Sequence, residues 1–351
     1  MYVLLALLIF GFLIFIHELG HFLAAKALDV RVNEFSICMG PAIVQKKIGE
    51  TNYALRCIPI GGYCAMEGED EASSDPRAFT SKTWWKRLII LAAGSAMNFF
   101  AGFLVLVILH VGAAGFATPR ISGFYENCPL QSEEGLQVGD EFYKIDGRRV
   151  FAYSDVAMLL NRNETDVYDL TIRRGGEFVH LQDFSMPLRE YTVNGQKEVR
   201  YGLYFAAEEK TAGAVLRHSW NKTLDFARLV WLGLEDLVSG LVSVDEMSGP
   251  VGIVSVIAET GESAETVRDG VANVAFLGAF IAVNLAVMNM LPIPALDGGR
   301  IFFLLIGAAF TAVTKKKIPP KYEGYIHAAG MVLLLGFMAF VTFKDIWKLF
   351  V

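Results

Sequence analysis

The residues best placed to do chemistry are His17-Glu18-Leu19-Gly20-His21. Two histidines four residues apart stand one turn above each other on one helix face. That spacing lets both imidazoles reach a single tetrahedral Zn²⁺, with Glu18 beside the metal to handle protons. The pentapeptide lies inside residues 2–28, a run otherwise fit to cross a bilayer. Ionisable groups at that depth are costly and face a protein interior or a water-filled cavity, so function is the default reading. The structural alternative is a pair of histidines hydrogen-bonded in a bundle core, with Glu18 as their partner.

A catalytic zinc takes three protein ligands and leaves a fourth position for water. The chain offers a third ligand in Asn289-Met290-Leu291-Pro292-Ile293-Pro294-Ala295-Leu296-Asp297-Gly298-Gly299-Arg300. Two prolines there end a helix, and Asp297 follows. By itself Asp297-Gly298 reads as a turn; its depth in the membrane makes it the expected ligand.

The elements that must carry these groups are membrane helices. The 351 residues are 54% hydrophobic and 19% charged, against about 45–50% and about 25% in soluble domains, and the excess sits in a few long runs. The pattern is that of a polytopic α-helical membrane protein carrying a water-facing part. A net charge of -6 argues against a nucleic-acid partner. Cys38, Cys57, Cys64 and Cys128 form no C-x-x-C pair and read as free thiols. Four spans are expected, over residues 2–28, 88–117, 271–290 and 325–343. Residues 2–25 hold no Lys or Arg, so the first run reads as an uncleaved helix rather than a signal peptide. Lys26, Arg31 and the Lys315-Lys316-Lys317 cluster mark the cytoplasmic side, which leaves both termini outside. At 1.5 Å per residue His17 lies roughly 22 Å from Tyr2, in the inner leaflet of a core about 30 Å thick. Asp297, at the inner end of the third span, reaches the same depth. Residues 301–313 are too short to cross and should lie against the inner side.

Four regions follow. Residues 1–117 hold the histidine helix, a cytoplasmic segment and the second span. Within that segment, residues 53–66 read as two short β-type runs flanking Pro59 and Gly61-Gly62, a membrane-associated β-hairpin or looped edge. An exposed edge there, at Gly61, Gly62 and Tyr63, could pair with an extended peptide; a plain structural hairpin fits equally. Residues 67–75 form an acidic, solvated loop, and Trp84-Trp85-Lys86-Arg87 marks a membrane boundary. Gly94-Ser95-Ala96-Met97-Asn98 supplies small residues for helix contact, with Asn98 as interhelical glue. Residues 118–210 show short strands and turns, with Gly139-Asp140 before one strand and Asp146-Gly147 after it, and a further turn at Arg174-Gly175-Gly176-Glu177. The run from 135 to 150 resembles a PDZ domain, an α+β module in which a strand and a helix form a groove for an added peptide strand. Residues 211–270 read as an interfacial helix and linker, the helix carrying Leu216, Trp220, Leu224, Trp231, Leu234 and Leu241. Residues 271–351 complete the membrane part.

Taken together, His17-Glu18-Leu19-Gly20-His21-Phe22, Gly61-Gly62-Tyr63, the 94–98 stretch, one PDZ-like unit, Ser248-Gly249-Pro250-Val251-Gly252 and the segment from Asn289 through Gly299 resemble the site-2 proteases, of the bacterial regulator-of-sigma-E protease type, over nearly the whole chain. Two departures stand out: Ser95 replaces a more usual proline, and a single PDZ-like unit stands where some relatives have two. The resemblance implies Zn²⁺ held by His17, His21 and Asp297, with Glu18 as general base toward zinc-activated water. It implies single-pass membrane proteins as substrates, anti-sigma factors or signal-peptide remnants, cut within their transmembrane segments. The strand edge around Gly61-Gly62-Tyr63 would hold the opened backbone, and Asn289 would hydrogen-bond near the break. The setting would be a bacterial plasma membrane, with the PDZ-like unit outside and the active site near the cytoplasm. Two other functions compete with this: a membrane-anchored PDZ adaptor without protease activity, and a zinc or ion transporter, for which no inverted repeat or ladder of intramembrane charges is visible.

Overall fold

The first helix, α1 (Tyr2–Ala27), is apolar nearly all round, as a helix surrounded by lipid or other helices must be. It ends where Asp29 turns left-handed, φ 57°, with Leu28 and Val30 amides closing on the carbonyls of Ala24 and Ala25. The computed structural model describes residues 1–69, 73–163, 165–193, 196–243, 248–315 and 320–348. These divide into two compact units, residues 1–105 with 229–351, and residues 106–228.

In the first unit α1 is followed by β1 (Val32–Ile48) and β2 (Thr51–Met66). The link between β1 and β2 is at Gly49-Glu50, with Gly49 at φ 62°, and the chain loops again around Pro59 and Gly61-Gly62, with Gly61 at φ 76°, where the sequence suggested. Both expected runs belong to one strand, β2. The register explains how. Glu34 pairs with both Ala65 and Asn52, and Ile37 with both Gly62 and Leu55, so this part of β1 lies between two portions of β2. An irregularity between the Met39–Ile58 and Ile37–Gly62 pairs takes up Pro59, which cannot donate to a ladder.

Next comes α2 (Trp84–Val111), which stops short of the expected 117; the amides of Gly112 and Ala113 close its last turn. In chain order α4 (Ala212–Ser239), α5 (Pro250–Glu262), α6 (Val267–Asn289), α7 (Asp297–Thr314) and α8 (Pro320–Lys348) come later. Among the described residues five helices are long and apolar enough to cross a membrane: α1, α2, α6, α7 and residues 324–347 of α8. Four match the expected spans. The fifth, α7, begins at Asp297, four residues before the run read as too short, and its 18 residues span about 27 Å. Of the lysine cluster expected on the cytoplasmic side, Lys316 and Lys317 lie outside the described residues.

Helix α5 was hidden in the expected linker. Gly249 caps it and Pro250 stands at its first turn, where a missing N–H costs nothing. Asp345 of α8, 7% exposed, accepts a hydrogen bond from the Gly252 amide at 2.8 Å. A Cβ at Gly249 would lie 2.8 Å from that carboxylate, so the glycine is what admits it. The core of this unit forms in two places: Ala25, Phe35, Met66, Phe79, Ile90, Leu91 and Ile301 in one, and Tyr2, Ala6, Leu13, Ile257, Val274 and Ile281 in the other.

The second unit is built on a six-stranded sheet. Its strands are β3 (Gly115–Phe124), β4 (Glu141–Ile145), β5 (Arg148–Arg149), β6 (Val167–Arg174), β7 (Glu177–Ser185) and β10 (Leu203–Glu209). Their order is β10-β3-β4-β6-β7, with β5 on β4. The short helix α3 (Tyr153–Leu160) and the hairpin β8 (Arg189–Val193) with β9 (Gln196–Arg200) complete it. The turns fall where the sequence placed them, with Asp146-Gly147 at φ 48° and 74° and Gly175-Gly176 at φ 58° and 97°. Ile121, Leu136, Phe142, Ile145, Tyr168 and Ile172 form its core. Of the expected apolar face of α4, Leu216, Trp220 and Trp231 are exposed, while Val215, Ser219, Thr223 and Phe226 are buried.

Candidate metal centre

The site is built where α1 and α2 touch without side chains between them. A Cβ on Gly20 would lie 2.4 Å from the Ala93 carbonyl oxygen. One residue along α2, a Cβ on Gly94 would lie 2.4 Å from His21 Nε2 and 2.8 Å from His17 Cε1. The two imidazoles occupy the space that Gly94 leaves. His21 is tethered from the same helix, its Nδ1–H donating to the Ile90 carbonyl oxygen at 2.8 Å. That bond sets the tautomer and turns the Nε2 lone pair inward.

Asp297 is delivered from the other end of the chain by the turn between α6 and α7. This turn is packed against the start of α7: a Cβ on Gly298 would lie 2.3 Å from the Leu291 carbonyl oxygen, and one on Gly299 2.3 Å from that of Ile293. Arg300, one turn into α7, is ion-paired with Glu69 beyond β2. The result is a close triangle. His17 Nε2 and His21 Nε2 are 3.2 Å apart, and Asp297 Oδ2 is 3.2 Å from the first and 3.4 Å from the second.

Three electron-pair donors thus aim at one point, and Asp297 Oδ2 is buried with no hydrogen-bond partner among the described residues. Such a set fits a cation. Ligand atoms held about 2.0–2.1 Å from a tetrahedral zinc lie about 3.3 Å from one another, which is the spacing found. The three residues expected to hold metal are therefore brought together.

Glu18, half-buried, faces the backbone of β2. A Cβ on Gly62 would lie 3.3 Å from Glu18 Cγ and 3.4 Å from Ile14 Cγ2, so a side chain there would push on the acid. Gly61 is left-handed at φ 76°. Tyr63 is engaged elsewhere, its hydroxyl donating to Glu34 Oε1 at 2.7 Å and its ring lying 5.4 Å from the Arg56 guanidinium. Burial pushes the Glu34 carboxyl up, but hydrogen bonds from Tyr63 and Arg56 outweigh it and hold the group below the ordinary carboxylate value. The Tyr63 hydroxyl is pushed up, by burial first and then by its bond to Glu34. Asn289 is the last residue of α6, half-buried, at the head of the turn that carries Asp297. Gly94 and the Ile90 carbonyl were not singled out as parts of the site from sequence; the small-residue stretch 94–98 was the available signal.

The sequence profile of peptidase family M50 matches residues 5–337. A protein of Clostridium perfringens named as a candidate zinc metalloprotease is 35% identical, covering 99% of this chain and 98% of its own length. Another so named, from Fusobacterium nucleatum, is 34% identical over 99% of both chains. The regulator of sigma-W protease RasP of Bacillus subtilis is 27% identical over 98% of both.

Proposed function

The chain belongs to peptidase family M50, that of the site-2 proteases, and on that premise we propose that it is an intramembrane zinc metalloprotease that cuts transmembrane segments of other membrane proteins. The observation that carries this reading is the convergence of His17 Nε2, His21 Nε2 and Asp297 Oδ2 to within 3.4 Å of one another, with Glu18 beside them. Those three atoms would hold Zn²⁺. When bound, the metal would bring the pKa of a coordinated water to about 7 and polarise the scissile carbonyl.

The rest is done by side chains and backbone. The Glu18 carboxylate takes the proton of the attacking water and passes it to the leaving amide nitrogen. A helical substrate hides each amide in an i→i−4 bond, so it must open before its carbonyl can be attacked. The Gly62 portion of β2 offers backbone groups to pair with the opened strand, and its missing Cβ keeps that pairing surface next to Glu18. Asn289 donates its side-chain amide to the substrate near the break. The sheet of the second unit, with α3, supports a PDZ-like module that admits substrates whose outer domain has already been removed. Lys26 in the last turn of α1 and Arg31 just after it favour a cytoplasmic position for that end of the helix and for the site, with the PDZ-like module outside a bacterial plasma membrane. The name of the Bacillus subtilis relative, a regulator of sigma-W protease, favours regulatory substrates such as anti-sigma factors; signal-peptide remnants fit the same chemistry.

The test is to incubate the purified full-length protein with a panel of transmembrane peptides and identify products by mass spectrometry. Cleavage should vanish with chelator, return on adding Zn²⁺, and be absent in Glu18→Gln, which still binds zinc. Products that persist in Glu18→Gln would refute the proposal.

A further inference from the structure

The turn that delivers Asp297 holds a conformation its own sequence does not favour. Ala295, two residues before the ligand, has φ 81°, in the left-handed region that residues bearing a Cβ rarely enter. Glycine would be the ordinary choice there. Something outside the turn must hold it.

The holder is on α8. The Ala295 amide donates to His327 Nδ1 at 3.0 Å; since an amide can only donate, Nδ1 is the unprotonated nitrogen of the ring. The ring is braced by Phe303 of α7, edge-on at 5.5 Å. Gly330 lies three residues further along α8, on the same face. A Cβ on it would stand 2.4 Å from Pro294 Cβ and 2.9 Å from the Pro294 carbonyl oxygen. His327 and Gly330 thus grip the two residues that lead into Leu296 and Asp297. His327 is also an ionisable side chain in a helix whose residues 324–347 are long and apolar enough to cross a membrane, a place where such residues mark function.

We propose that His327 is a positioning residue for the metal ligand Asp297: by holding Ala295 in the left-handed turn it fixes where Asp297 Oδ2 stands relative to His17 and His21. The inference rests on the reading of these three as a metal site. Outer partners that orient ligands contribute about 10–100-fold in metal affinity, and His327, acting through the backbone, falls at the lower end.

The test measures zinc affinity of the purified full-length protein by competition with a chromophoric chelator, with size-exclusion profiles as a check on folding. His327→Ala is expected to weaken zinc binding about tenfold. His327→Asn, whose Oδ1 can accept in place of Nδ1, is expected to stay near wild type. Ala295→Gly should bind zinc as tightly as wild type, and adding it to His327→Ala should restore most of the loss, because glycine takes the left-handed turn unaided. A rescue of that kind is not expected from loss of packing alone. Wild-type affinity in His327→Ala, or the same loss whether residue 295 is alanine or glycine, would overturn the inference while leaving the metal site intact. A wild-type protein that binds no zinc, or an Asp297→Ala variant that binds it as wild type does, would overturn the metal site itself.

Discussion

Replacing Gly94 by alanine asks whether the histidines are held by shape as well as by ligand chemistry. The added methyl would stand 2.4 Å from His21 Nε2 and 2.8 Å from His17 Cε1, where ordinary contact begins at 3.4 Å. One element must therefore retreat by about 1.0 Å, the difference between 3.4 and 2.4 Å. His21 cannot swing freely, because its Nδ1 is bonded to the Ile90 carbonyl on the same helix. The helices cannot part without stretching that same His21–Ile90 bond, which joins α1 to α2. The ligand nitrogens take the displacement. Disturbed ligand orientation costs about 10–100-fold in metal affinity, and a misplacement near 1 Å costs about 10²-fold in rate. The assay is zinc per protein after dialysis against graded chelator, with peptide cleavage measured on the same samples. Gly11→Ala is the control: it lies on α1 with nothing within 4 Å of the new Cβ, and both readouts should match wild type. Should Gly94→Ala keep its zinc and cleave within about twofold of wild type, the idea that α2 shapes the ligand set is wrong.

Three further outcomes are expected. Gly62→Ala crowds Glu18 Cγ at 3.3 Å and the Ser36 carbonyl at 3.0 Å without touching a ligand, so cleavage should fall about tenfold, part of the about 10²–10⁴-fold that general-base catalysis supplies, while zinc content stays constant; an unchanged rate counts against the proposed edge. Asp345→Ala removes the acceptor of the Gly252 amide and should lower stability by about 0.5–2 kcal/mol, as loss of a cap does, seen as a lower unfolding midpoint in detergent; an unshifted midpoint speaks against the cap. The Glu34 carboxyl is held below its ordinary value, so its contribution is complete above the unfolded pKa of about 4.3 and fades as pH falls through the lower folded value. Protease resistance of residues 32–66 should therefore hold at pH 7 and pH 5 and drop below about pH 4, and Glu34→Gln should lack that step.

The candidate metal set was readable because both halves carry local signals. The spacing of His17 and His21 is helix geometry, and the prolines before Asp297 place it at a helix end. The second unit was readable for similar reasons, with Asp146-Gly147 and Gly175-Gly176 announcing turns that φ values bear out. What escaped depended on partners distant along the chain. Gly94 looks like any small residue at a helix contact until His21 is seen against it. Pro59 and Gly61-Gly62 do loop the chain, but that a β1 segment, residues 34–37, lies between the runs on either side of them has no local signal. Pro250 was a usable sign of a helix start, but the carboxylate completing that start lies 93 residues away.

That long reach has a consequence for biogenesis. A ribosome delivers α5 well before α8, so for the intervening stretch of translation the Gly252 amide lacks its acceptor. Asp297 likewise emerges long after His17 and His21. The second gap closes once the start of α7 has emerged and the first only with α8, so a chain made as far as α6 carries the two histidines without their third donor.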